Sequence, residues 1–122
     1  MNVIDSSAWL SYFADEKRAR PIAELLGDFT RIVVPSITLT EVFKSAARQR
    51  PEQHAMRAVA QMMKGRVVAL DADLAIAAAE YGLEFRLPLA DSIIYATTRK
   101  YDALLWTHDV DFKDLPGVKF FA

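Results

Sequence analysis

The chain has 122 residues, 52% apolar and 25% charged, and its 15 Lys and Arg against 16 Asp and Glu leave a net charge of −1. That composition is globular and argues against disorder, and the charge balance excludes a whole-molecule field that draws in nucleic acid, so a polyanion must be met by a local basic patch. With no cysteine, a disulfide framework and a thiolate site are excluded too, and the length suits one domain, residues 1–122, with a substantial core.

The first residues, MNVIDSSAWLSYF, lack the basic segment of a signal peptide, and no apolar run approaches the roughly 20 residues of a membrane span. A soluble, cytoplasmic chain with no membrane partner is expected. Onward from the start, short apolar runs suited to buried strands are NVID (2–5), RIVVP (31–35), RVVAL (66–70), ALLWT (103–107) and VKFF (118–121). Helical patterns lie between them at about 6–13, 17–27, 37–49, 52–63, 73–81 and 89–100. Pro35-Ser36, Pro51 and Pro88 mark helix starts, Gly65 follows a helix, and Gly82 reads as a C-cap. The alternation predicts an α/β layer fold on a largely parallel sheet, without internal repeats.

In such a sheet, ligands bind beyond the carboxyl ends of the strands. Four acidic residues fall there: Asp5 after NVI, Glu41 after RIVVPS, Asp91 in the first turn after Pro88, and Asp109 after ALLWTH. Each has a local explanation. Asp5 suits an N-cap, Thr38 and Glu41 match a capping box, Asp91 complements a helix dipole, and Asp109 suits a turn. Together, however, they repel: two carboxylates about 4 Å apart cost roughly 4 kcal/mol at an effective dielectric near 20. A cation or protonation must relieve that repulsion. A hard cation, Mg²⁺ or Mn²⁺, fits through oxygen ligands, and the chemistry it would support is phosphodiester hydrolysis.

The succession NVIDSSAWL, PSITLTEV, LPLADSIIYATTRKY and LLWTHDVDF resembles PIN-domain ribonucleases, especially the small VapC-type toxins of toxin–antitoxin pairs. The resemblance covers nearly the whole chain. It implies a PIN-like three-layer fold with a five-stranded parallel sheet flanked by helices, and Mg²⁺- or Mn²⁺-dependent endoribonuclease activity. It also implies a homodimer and inhibition by a VapB-type antitoxin. The family's acidic site maps onto Asp5, Glu41, Asp91 and Asp109, with Asp111 as a possible auxiliary acid. Two departures are Ser92, where the family often has Ala, and His108, where a small residue is more usual.

Ser6, Ser7 and Thr107 adjoin these acids and suit either orienting bonds to the carboxylates or helix capping. His108 is a candidate proton shuttle or an incidental turn residue, and His54 reads as a residue on a solvated face. Asp71 and Asp73 read as a capped helix start. Lys17, Arg18 and Arg20 form one basic cluster, and Lys44, Arg48, Arg50 and Arg57 another, each a solvated face or a phosphate-binding surface. Trp9, Leu10, Tyr12 and Phe13 are more bulk than one helix face buries, so part of the set is expected to line a groove for an antitoxin segment or a second copy. Met56, Met62 and Met63 suit core or dimer packing. The alternatives are a receiver-like phosphoacceptor module and a non-catalytic acidic binding module.

Overall fold

The computed structural model describes residues 1–122. Five strands, β1 (Asn2–Ile4), β2 (Ile32–Pro35), β3 (Arg66–Val68), β4 (Leu104–Thr107) and β5 (Val118–Phe120), form one sheet in the order β3-β2-β1-β4-β5. Every pairing is parallel, with Val3 opposite both Val33 and Leu105. The α/β fold with a parallel five-stranded sheet is the one expected from the sequence.

Alternation along the strands divides the core between two sheet faces. Val3 and Val33 pack with Leu74, Ala78, Ile93, Ile94 and Tyr95, from helices α5 (Ala72–Phe85) and α6 (Leu89–Lys100). Ile4, Ile32 and Val34 point the other way, onto Ala8, Trp9, Ile22, Val42, Ala58 and Met62. Those belong to helices α1 (Ser6–Phe13), α2 (Arg20–Leu25), α3 (Ser36–Gln49) and α4 (Glu52–Met62). Helices therefore cover both faces, and Val3 and Ile4 of β1 and Ile32, Val33 and Val34 of β2 are apolar and buried because neither face meets water there.

Two helix boundaries differ from expectation. The pattern at 17–27 is a 3₁₀ turn, Lys17–Ala19, followed by α2, because Pro21 has no N–H and is tolerated only in the first turn of a helix. Gly82 is not a C-cap: α5 continues to Phe85 and ends on Arg86 in the left-handed region, at φ 56°. Gly82 instead lets α5 approach α6, since a Cβ there would lie 3.3 Å from Ser92 Cβ. Asp71 does cap α5, accepting from Leu74 N at 2.8 Å.

The order places a topological switch between β1 and β4, where the chain, having added strands on one side of β1, returns to add them on the other. That crevice is where open α/β sheets bind ligands. A receiver-like arrangement, with the third strand beside the first, is excluded because β3 lies at the sheet edge against β2 alone. No helix is long and apolar enough to cross a membrane.

Candidate functional site

Asp5 follows β1 and Asp109 follows β4 within two residues, so parallel pairing carries both to the two lips of the switch. Asp5 precedes α1, but its side chain makes no capping bond. Its Oδ2 instead accepts from Ser7 Oγ at 2.7 Å and Thr107 Oγ1 at 2.8 Å. Thr107 Oγ1 in turn accepts from Asp109 N at 2.9 Å, so one hydroxyl ties the two acidic residues together. One oxygen of Asp109 caps the turn at Val110–Phe112 through Asp111 N, at 2.9 Å, so its turn role occupies only half of the carboxylate.

Glu41 is brought in by α3. The expected capping box does not form: the helix begins at Ser36, and Thr38 Oγ1 donates to Pro35 O at 2.7 Å. Glu41 Oε1 accepts from Ser6 Oγ at 2.6 Å. Ser6 and Ser7 thus serve carboxylates rather than the end of α1, and sequence adjacency had indicated them as candidates. Asp91 occupies the first turn of α6, where Pro88 starts the helix.

No Lys or Arg forms an ion pair with any of these acids; the three salt bridges of the molecule lie elsewhere. The electrostatic result is a set of carboxyls that resist ionising. Burial raises Asp5, against the hydroxyl bonds of Ser7 and Thr107, with the charge of Asp109 adding to the rise. Burial likewise raises Glu41, helped by Asp5 and Asp109 and opposed by its bond from Ser6 and by Lys44. Asp91 is pushed up to about 8, first by desolvation, then by the charges of Asp5 and Asp109, a hydrogen bond to Asp109, and Glu41.

Carboxylate oxygens of Asp91, Asp109 and Asp111 lie within 4.8 Å of one another. Asp5 and Glu41 fall outside this trio yet raise the pKa of Asp91 within it. Asp111, which is exposed, lies close enough to Asp91 and Asp109 to serve as the auxiliary acid. The donor set fits a hard divalent cation: every donor is a carboxyl oxygen, and no Lys or Arg is ion-paired to any of them. His108 does not join it, since both ring nitrogens are engaged, Nδ1 with Phe121 O at 2.6 Å and Nε2 with Ser11 Oγ at 2.8 Å. Neither contact was foreseen from the sequence.

The PIN domain model matches residues 3–118, which include all five acids. The chain belongs to the PIN-domain family. No curated protein sequence matches this PIN domain, whereas solved structures match it over nearly their whole length. A toxin–antitoxin complex from Klebsiella pneumoniae gives a TM-score of 0.83 at 22% identity, over 98% of this chain and 96% of that one. VapC20 of Mycobacterium tuberculosis, a sarcin-ricin loop cleaving toxin, gives 0.81 at 21%, over 100% of both chains. VapBC2 of Rickettsia felis, bound to a DNA fragment from its promoter, gives 0.78 at 15%, over 99% and 98%. At these identities the likeness establishes a shared fold for the PIN domain.

Elsewhere, Trp9 is fully buried and belongs to the core, so it does not line a groove. Leu10, Tyr12 and Phe13 are half-buried, and together with Arg50, His54 and Arg57 they edge a cleft of about 420 Å³ between α1, α3 and α4. Met62 is in the core, while Met56 and Met63 are exposed.

Proposed function

We propose that this PIN domain, acting as one unit over residues 1–122, is a divalent-metal-dependent endoribonuclease and the toxin of a toxin–antitoxin pair. The observation that carries the reading is the cluster of acids at the β1/β4 switch with no cationic side chain paired to it. Asp5, Glu41, Asp91 and Asp109, with Asp111, would hold Mg²⁺ or Mn²⁺. A cation bound there supplies polarisation of a phosphoryl oxygen and activation of water for in-line attack. Ser7 and Thr107 fix Asp5, Ser6 fixes Glu41, and the half-buried setting limits competing water. Lys44, one turn beyond Glu41 on α3, begins the exposed basic run of Arg48, Arg50 and Arg57, which suits contacts to RNA phosphates.

The partner reading rests on the cleft beside α1. Its half-buried Leu10, Tyr12 and Phe13, rimmed by Arg50 and Arg57, suit an apolar antitoxin segment carrying acidic groups, and the similar structures from Klebsiella and Rickettsia are toxin–antitoxin assemblies. Exposed Ile76 and Leu83, seven residues apart on α5, support a homodimer. A cytoplasmic location suits an RNA substrate.

The test is incubation of total cellular RNA with the purified chain in Mg²⁺, in Mn²⁺ and in EDTA, beside Asp91→Asn. Discrete fragments that require both metal and Asp91 are expected. Intact RNA from folded, metal-supplied wild type would remove the enzyme reading in favour of an acidic binding module.

A further inference from the structure

His108 makes more bonds than its place in a turn requires. Phe121 O can only accept, so the bond at 2.6 Å puts a proton on Nδ1. Nε2 then meets Ser11 Oγ at 2.8 Å, and that hydroxyl also lies 3.0 Å from Ala8 O. With the ring neutral, Ser11 donates to Nε2; with the ring cationic, Nε2 donates to Ser11 and Ser11 donates to Ala8. In either state both nitrogens are satisfied. The ring also packs on Phe121 with centroids 4.2 Å apart, and Ser11 is only 1% exposed. The imidazole thereby joins α1 to the chain leaving β5, with the end of β4 held between them.

That clamp acts on the backbone beside the acids. The N–H of His108 donates to Ser7 Oγ at 3.2 Å, and Ser7 donates to Asp5. Its neighbours in sequence complete the set: Thr107 Oγ1 donates to Asp5 and accepts from Asp109 N. Three consecutive residues, 107 to 109, thus set Asp5 against Asp109, and the only ring among them is anchored at both of its nitrogens. Without the ring, the turn keeps its hydroxyl bonds and the backbone bond from Phe121 N to Thr107 O, but loses the two side-chain bonds that tie it to Ser11 of α1 and to Phe121 O.

We propose that His108 is a positioning residue, whose side chain fixes the β4 turn so that Asp5 and Asp109 are held in a geometry that binds a divalent cation. The inference rests on the reading of the acids as a cation site. It assigns His108 no contact with metal or RNA, and no proton transfer.

The experiment is a calorimetric titration of Mn²⁺ into wild type, His108→Ala, His108→Asn, His108→Gln and Ser11→Ala, well below the melting temperature of each, with RNA cleavage measured in parallel. Loss of an orienting partner lowers metal affinity about 10- to 100-fold. His108→Ala, whose ring acts one bond further out than such a partner, is expected to weaken Mn²⁺ binding by up to about tenfold. Ser11→Ala is expected to weaken it less, and Asn or Gln, each restoring one of the two bonds, to recover part of the loss. Should His108→Ala fail to fold, Ser11→Ala and the two amide variants carry the same comparison. Mn²⁺ affinity unchanged in the folded variants, whatever their melting temperatures, overturns the proposal and leaves the nuclease reading intact. Weakened Mn²⁺ binding in a protein that cuts no RNA supports the positioning role while removing the nuclease. A wild type that binds no Mn²⁺ overturns both.

Discussion

Asp5 is the most buried of the acids, 3% exposed, and both of its side-chain donors are hydroxyls, which orient a carboxylate without cancelling its charge. Thr107→Val keeps the shape of one donor and removes its oxygen. RNA turnover at limiting metal should fall about 10- to 100-fold, as for other groups that orient a ligand. Loss of the acceptor for Asp109 N should add a stability loss of about 1–3 kcal/mol. Cleavage rates at several Mn²⁺ concentrations, with a urea unfolding curve, check both, and unchanged turnover would mean that Asp5 needs no such support. The acids themselves were legible because parallel strands deliver their ends to one edge. Ser6 and Thr107 were legible because they adjoin those acids. The pairing of Ser11 with His108 was not, since 97 residues separate them and no local pattern marks a contact made only when α1 packs beside β4.

Among the elements, α5 and α6 are set close by Gly82, and the expected outcome of Gly82→Leu follows from that spacing. A larger side chain must displace Ser92, whose Cβ would already lie 3.3 Å from an added Cβ, and overpacking of this kind costs about 1–3 kcal/mol. The variant should melt several degrees below wild type in a thermal unfolding experiment. An equal or higher melting temperature would show that the helices separate freely, with the better helix propensity prevailing. The strands and most helices were legible because strands buried on both faces read as apolar runs bounded by Pro and Gly. Gly82 misled because the same residue serves as a cap or as a close-approach position, and only the neighbouring helix distinguishes them. Pro21 divided the second helical pattern for a local reason, its missing N–H. The strand order was not legible, because crossover connections, rather than the runs themselves, decide which strand is central.

At the scale of the molecule, the acidic cluster opposes folding unless a cation is present. Asp91 in the folded chain keeps its proton until about pH 8, against an ordinary value of 3.8. Between those limits the folded state holds a proton that the unfolded state has released. The contribution of Asp91 to metal-free stability is therefore fully present below about pH 4 and is lost as pH rises towards 8. Asp5 and Glu41, both raised, contribute in the same direction. Urea midpoints measured in EDTA from pH 5 to pH 8 should fall for wild type and fall less for Asp91→Asn; parallel profiles would contradict the assignment. A cation that binds only the folded chain reverses the penalty, adding about 2.7 kcal/mol at a hundred times its Kd. The most direct test is the melting temperature of wild type and Asp91→Asn at pH 7.5, each with and without millimolar Mn²⁺. We expect a crossover, with Asp91→Asn the more stable in EDTA and wild type the more stable in Mn²⁺. A wild type that Mn²⁺ leaves unchanged, while Asp91→Asn stays more stable throughout, would mean that the carboxylates repel one another and hold no ion.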